Sequence, residues 1–123
     1  MLKNHRCDAA FGGSGIGADR INNTNYSIRP ASAFSPRTAW AATLSPVSVV
    51  LNSQGGFFTS STTQVSLMFG GPKTLSGNMG RGFVLLHELA HQLSGVTGAI
   101  PDNGLDAASA INNQFVYDNC VAQ

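Results

Sequence analysis

The run from Met79 to Leu93 reads Met-Gly-Arg-Gly-Phe-Val-Leu-Leu-His-Glu-Leu-Ala-His-Gln-Leu. Projected at about 100° per residue, Phe83, Leu85, Leu86, Leu89, Ala90 and Leu93 fill one broad arc, and His87 and His91 fall in the remaining one. This pattern predicts a helix that must bury an apolar back against the rest of the chain. Asn78 or Ser76 would cap its N-terminus, and Gly95 would end it in a left-handed conformation. Gly80 and Gly82 weaken its first turn.

The other face of the same helix carries chemistry. Residues 87 to 91 read His-Glu-Leu-Ala-His. Positions four apart on a helix lie on one face, so His87 and His91 can aim two imidazoles at a single metal ion. Glu88 sits about 100° further round, within reach of a metal-bound water without ligating the metal itself. A bound zinc lowers the pKa of such a water towards neutrality, and a carboxylate can then take its proton. Glu88 is the sole glutamate of the chain, and two of the three histidines lie in the pentapeptide. The competing explanation is a core helix that carries these five residues by chance.

Composition sets the bounds. A chain of 123 residues buries one modest core and is expected to form a single domain, residues 1–123. A net charge of +1 with 11% charged residues supplies no basic stripe for nucleic acid. No stretch approaches the ~18 apolar residues of a membrane helix. The start, Met-Leu-Lys-Asn-His-Arg-Cys, lacks an apolar signal-peptide core. The chain is either a cytosolic protein or, the favoured expectation, a mature, secreted domain cut from a longer chain, such as the C-terminal domain of a larger bacterial protein, and it is expected to act as a monomer. Cys7 and Cys120 stand near opposite ends. They form a disulfide tying the N-terminal segment to the last helix, stay as two buried thiols, or, less in keeping with their spacing from the histidines, ligate zinc. Such a ring would contribute about 4 to 5 kcal/mol by loop entropy.

The remaining segments point to an α+β domain: a short β-sheet packed on the histidine helix, followed by a C-terminal helix. The glycines between Phe11 and Ala18 suggest a phosphate loop, but no apolar strand precedes them and no lysine follows in register, so a turn is expected, with a short helix at Ala18–Asn23. Residues 24–46, broken by Pro30, Pro36 and Pro46, read as irregular, with Trp40 in the core. Val47–Leu51 reads as a strand by its β-branched content. Phe57 and Phe58 are expected to open a second strand. Val65, Leu67 and Phe69 alternate with Ser66 and Met68 and predict a third. Leu105, Ala108, Ile111 and Phe115 recur at helical spacing and place a last helix over about 105–119.

In its motif and in the order of its last elements the chain resembles the zincin metallopeptidases. The resemblance is specific at His87, Glu88 and His91, and the order strand, helix, turn, helix extends it loosely over about the last 60 residues. It implies a peptide or protein substrate, a Zn²⁺ cofactor and an endopeptidase activity, with neither nucleic acid nor membrane as partner. It also implies that a strand at the rim of the cleft pairs with an extended substrate, a role that falls to Val65–Phe69.

Catalytic zinc commonly takes three protein ligands and a water. The histidine that metzincins place six residues beyond the motif is Thr97 here, and their glycine three residues on is Ser94. No glutamate follows Glu88, as gluzincins require, and the cysteine motif of deformylases is missing. The downstream carboxylates are Asp102, Asp106 and Asp118. A third-ligand aspartate makes the chain look most like an aspzincin, although the aspzincin Gly-Thr-x-x-Asp signature is absent. Asp102 is the favoured ligand, with Asp106, Asp118 and His5 as alternatives. Glu88 is the expected general base. Tyr117 is the expected second catalytic donor, ahead of Tyr26 and Arg81, and Asn112, Asn113 and Gln114 either orient a ligand or form the solvent face of the last helix. Two other functions fit the same residues: a non-catalytic zinc-binding or adhesion module, and a zinc hydrolase that does not act on peptides.

Overall fold

The computed structural model describes residues 1–35, 37–101 and 106–122, with the backbone alone at 106 and 107. Helices α1 (His5–Ala10) and α2 (Ile16–Asn22) lead into strand β1 (Asn25–Arg29), and a 3-10 turn at Ala31–Ala33 precedes β2 (Ala41–Ser45) and β3 (Ser48–Asn52). A one-turn helix α3 (Gly56–Thr59) and strands β4 (Thr62–Val65) and β5 (Lys73–Ser76) follow. The long helix α4 (Gly77–Gln92) comes next, then α5 (Ser94–Thr97), α6 (Asp106–Val116) and a π-helical turn at Tyr117–Val121. The domain is thus mixed helix and strand, but its strands form two small sheets rather than one. One has the order β1-β3-β2, with β1 parallel and β2 antiparallel to β3, and the other is the antiparallel pair β4-β5.

Several local expectations are corrected, each for a physical reason. Residues 24–46 are not irregular throughout: Asn25–Arg29 and Ala41–Ser45 form β1 and β2, which flank β3 and complete its hydrogen bonding. All five residues of β1 are exposed, so the strand carries no alternating pattern to read. Phe57 and Phe58 lie in α3, whose first residue, Gly56, passes beneath Trp40 so closely that a Cβ there would sit 2.1 Å from the indole. The strand expected over Val65–Phe69 ends at Val65. Beyond it, Asn113 Nδ2 donates to the Ser66 carbonyl at 3.0 Å, and the Phe69 N–H donates to Gln114 Oε1 at 2.9 Å. Those backbone bonds go to α6 side chains instead of a neighbouring strand. Helix α1, which the sequence did not announce, is capped by Asn4, whose Oδ1 accepts from the Arg6 N–H at 2.8 Å. The glycine-rich stretch after it is the expected turn, with positive φ at every residue from Gly12 to Gly15.

Helix α4 spans nearly the predicted range, but its surroundings differ from the prediction. Leu86, His87, Glu88, Leu89 and Ala90 are all buried, so this part of the helix is enclosed around its circumference rather than along one stripe. Phe83, Leu86 and Leu89 pack with Phe11, Leu75 and Val116 in one apolar cluster. The helix ends at Leu93, and the Thr97 hydroxyl folds back to donate to the Ala90 carbonyl at 2.7 Å. The left-handed residue that closes this corner is Gly98 (φ 72°), one short helix later than Gly95. Cys7 and Cys120 form a disulfide that fixes α1 to the π-helical turn. Among the described residues no helix is long and apolar enough to cross a membrane.

Gly80 is where α4 meets the small sheet. A Cβ at this position would lie 2.1 Å from Thr63 Oγ1 and 2.7 Å from Thr63 Cβ. Gly80→Ala is therefore expected to lower stability by about 1–3 kcal/mol through overpacking, although alanine is intrinsically the better helix former. Denaturant titration of the variant against the parent checks this, and a gain in stability would show that helix and sheet do not touch there.

Candidate functional site

The front of α4 is the floor of a cleft of about 860 Å³, within the range of ligand-binding pockets. Its walls come from β2, β4 and the segment before β2, and Ala99, Pro101, Ser109 and Asn113 close one end. Residues 37–40 are held by Asn52, which is fully buried. Asn52 Nδ2 donates to the carbonyls of Arg37 and Ala39, each at 2.8 Å, and its N–H donates to the Trp40 carbonyl at 2.9 Å. One asparagine thus shapes the wall that carries Trp40 into the cleft. Trp40 is a cleft residue as well as a packing residue.

His87, Glu88 and His91 all line this cleft. His87 and Glu88 are only 7% and 6% exposed, so each needs a polar partner. For His87 the partner is Asn113 of α6, whose Oδ1 lies 2.7 Å from Nδ1. Asn113 donates its Nδ2 to Ser66, which turns its oxygen to the histidine. Nδ1 of His87 must then carry the proton, and the lone pair sits on Nε2. That nitrogen lies 3.2 Å from Nε2 of His91, and the two rings stand edge to face with centroids 4.9 Å apart. Two imidazoles bound to one tetrahedral zinc at its usual bond lengths place their nitrogens about 3.3 Å apart. The spacing of the pair fits two ligands of such an ion, and the Asn113 bond is of the kind that would hold a ligating imidazole in one tautomer and orientation.

Glu88 is held from the opposite side. Thr43 Oγ1 of β2 lies 2.6 Å from Glu88 Oε2 and 3.1 Å from the Glu88 carbonyl. Every buried side-chain nitrogen and oxygen among the described residues has a partner. Oε1 takes no bond from the described residues and is therefore not sealed in the interior, on a side chain that lines the cleft.

The other sequence candidates divide. Asp102, the favoured third ligand, lies outside the described residues, and for Asp106 only the backbone is described. Asp118 is exposed, its Oδ1 accepts from Gln114 Nε2 at 2.8 Å, and it does not line the cleft. His5 is exposed on α1 and is likewise not in the cleft wall. Among the described residues no group of three or more His, Cys, Asp or Glu is placed to hold a metal. Tyr117 packs against the apolar cluster and is not in the cleft wall. Neither are Tyr26, which donates to the Ile21 carbonyl at 3.2 Å, and Arg81, which donates to Asn78 at 2.7 Å. Partial burial pushes the Tyr26 phenol above its ordinary pKa.

The polar run on α6 is not a solvent face, because Asn112 and Asn113 are both buried. Asn112 clamps Ile100 through bonds to its N–H (3.1 Å) and carbonyl (2.7 Å), fixing the segment that closes the cleft. Thr43 and Asn52 were not anticipated. The one signal for Thr43 is that it interrupts the otherwise apolar stretch Ala39–Leu44, and Asn52 looks like any turn residue. No protein-family model, curated protein or solved structure matches this chain.

Asn113→Leu is expected to release the His87 ring and mix its two neutral tautomers. Nitrogen NMR of ¹⁵N-histidine-labelled, metal-free protein at mildly alkaline pH should show Nδ1-protonated His87 in the parent and an averaged pattern in the variant. Identical spectra would mean that Asn113 does not orient the ring.

Proposed function

We propose that the protein is a zinc-dependent peptide hydrolase of endopeptidase type, with His87 and His91 as metal ligands and Glu88 as general base. The observation that carries this reading is the 3.2 Å approach of the two Nε2 atoms beside a buried glutamate in one cleft. Asp102 is the proposed third ligand. It directly follows Pro101, which lines the cleft. Asp106 is the alternative, since it precedes Ser109 and Asn113 by three and seven residues, the spacing of one helix face.

Zinc, when bound, supplies an acidified water and a positive charge for the carbonyl oxygen. The protein's own part is to place and move protons. Asn113 holds the His87 proton on Nδ1, and Glu88 Oε1 accepts a proton from the attacking water and returns it to the leaving nitrogen. An unpaired edge of β4 beside the cleft supports an extended substrate that adds to the sheet, over Thr62–Val65 rather than the longer segment. Among the described lining residues Glu88 is the one carboxylate and there is no lysine or arginine, which favours uncharged, apolar side chains next to the scissile bond. The Cys7–Cys120 disulfide supports an oxidising compartment, as for a secreted protein.

The protein is expected to bind one zinc per chain, measured by titration against a chromogenic chelator. His87→Ala and His91→Ala should each abolish this. Glu88→Gln should keep the metal and lower hydrolysis of a mixed peptide library by about 10²–10⁴-fold. Removal of zinc should abolish cleavage and its return restore it. Zinc held by four protein ligands with no exchangeable water, or full activity in Glu88→Gln, would refute the hydrolase reading.

A further inference from the structure

The cleft carboxylate is not free to choose its position. Thr43 Oγ1 approaches Glu88 Oε2 at 2.6 Å, a short hydroxyl–carboxyl hydrogen bond. The same oxygen lies 3.1 Å from the carbonyl of Glu88 itself. One hydroxyl proton cannot serve both, and the shorter distance assigns it to the carboxylate. Because Thr43 also touches the residue's own backbone, a single side chain fixes the carboxylate relative to the helix that carries it.

The strand is built to deliver this contact. Thr43 pairs with Val49 and Ser45 with Ser48, so Leu44 is an extra residue in β2 and forms a bulge beside Thr43. Bulges bend a strand and re-aim the neighbouring side chain. Here the bulge adjoins the one residue of β2 that reaches the floor of the cleft with a hydroxyl. Leu44 itself is 66% exposed, so the irregularity gains no core packing of its own.

We propose that Thr43 is a positioning residue for Glu88. It holds Oε2 against β2, so that Oε1 is the oxygen presented to the attacking water. The catalytic consequence rests on the hydrolase reading above; the placement of the carboxylate does not. A glutamate has three rotatable side-chain bonds, and without this anchor it samples several staggered positions in an 860 Å³ cleft. A misplacement of about 1 Å is enough to cost about 10²-fold in rate.

The test uses Thr43→Val, which keeps the branched shape and removes the donor, Thr43→Ala, which covers the case in which valine does not pack, and Thr43→Ser, which restores the hydroxyl. Glu88 is the sole glutamate, so labelling with δ-¹³C-glutamate gives one carboxyl resonance for the whole protein. At one fixed pH, the parent and Thr43→Ser should show this signal at the same position, and Thr43→Val and Thr43→Ala should displace it. In the zinc-loaded enzyme, Thr43→Val should lower kcat by about 10–100-fold with KM and zinc affinity little changed, and Thr43→Ser should recover most of the loss. An unmoved carboxyl signal in both Val and Ala variants, or a serine variant that behaves like valine, would overturn the proposal. If the zinc-loaded parent cleaves no peptide, the hydrolase reading fails, and the carboxyl signal alone still decides whether Thr43 holds Glu88.

Discussion

Helix α4 is enclosed on nearly every side between residues 86 and 90, yet His87 and Glu88 in that stretch, and Gln92 just after it, are polar and buried. A buried polar group left without a partner costs about 1–3 kcal/mol, more if charged. Each of the three finds its partner on a different part of the chain. His87 meets Asn113 on α6, Glu88 meets Thr43 on β2, and Gln92 meets Thr24 and the Pro46 carbonyl at the ends of the larger sheet. The apolar cluster brings these elements together without direction, and the three polar contacts fix how they sit around the helix.

The same contacts order the candidate site. Asn113 is bonded to Ser66 on one side and His87 on the other, so the segment after β4, the last helix and the histidine ring form one connected unit. Asn112, its neighbour, holds Ile100 and thereby the stretch leading to Pro101. The two adjacent asparagines thus divide the work: one sets a ring that faces the cleft, and the other sets the chain that closes it. On the far wall Asn52 does the equivalent for Trp40 by satisfying three backbone groups of an irregular segment. The shape of the cleft depends on amide side chains as much as on apolar packing, in a chain with only 11% charged residues.

The disulfide acts on a different scale. It joins residues 113 apart and closes the N-terminal helix onto the end of the chain. Its sulfurs lie in the same buried cluster as Phe83, Leu86 and Leu89, and neither cysteine lines the cleft. Its contribution is to the scaffold behind the helix, where the small size of the core makes a cross-link valuable.

By itself the sequence determined what depends on local spacing. The 3.6-residue period located α4 and α6, the i, i+4 relation placed His87 and His91 on one face, and β-branched content located β3. Cysteines at the two ends left a disulfide open as one of three readings, and the fold realises it. Tertiary structure decided what depends on non-local pairing. Strands β1 and β2 exist because β3 lies between them, β4 stops at Val65 where α6 side chains take the backbone bonds that follow, and Thr43 reaches Glu88 across 45 residues of sequence. A hydroxyl or amide carries no periodic signal, and its partner is chosen only when packing brings a distant acceptor to hydrogen-bonding distance. The residues that point to chemistry were therefore legible in the chain, while the residues that hold them in place became visible only in the folded protein.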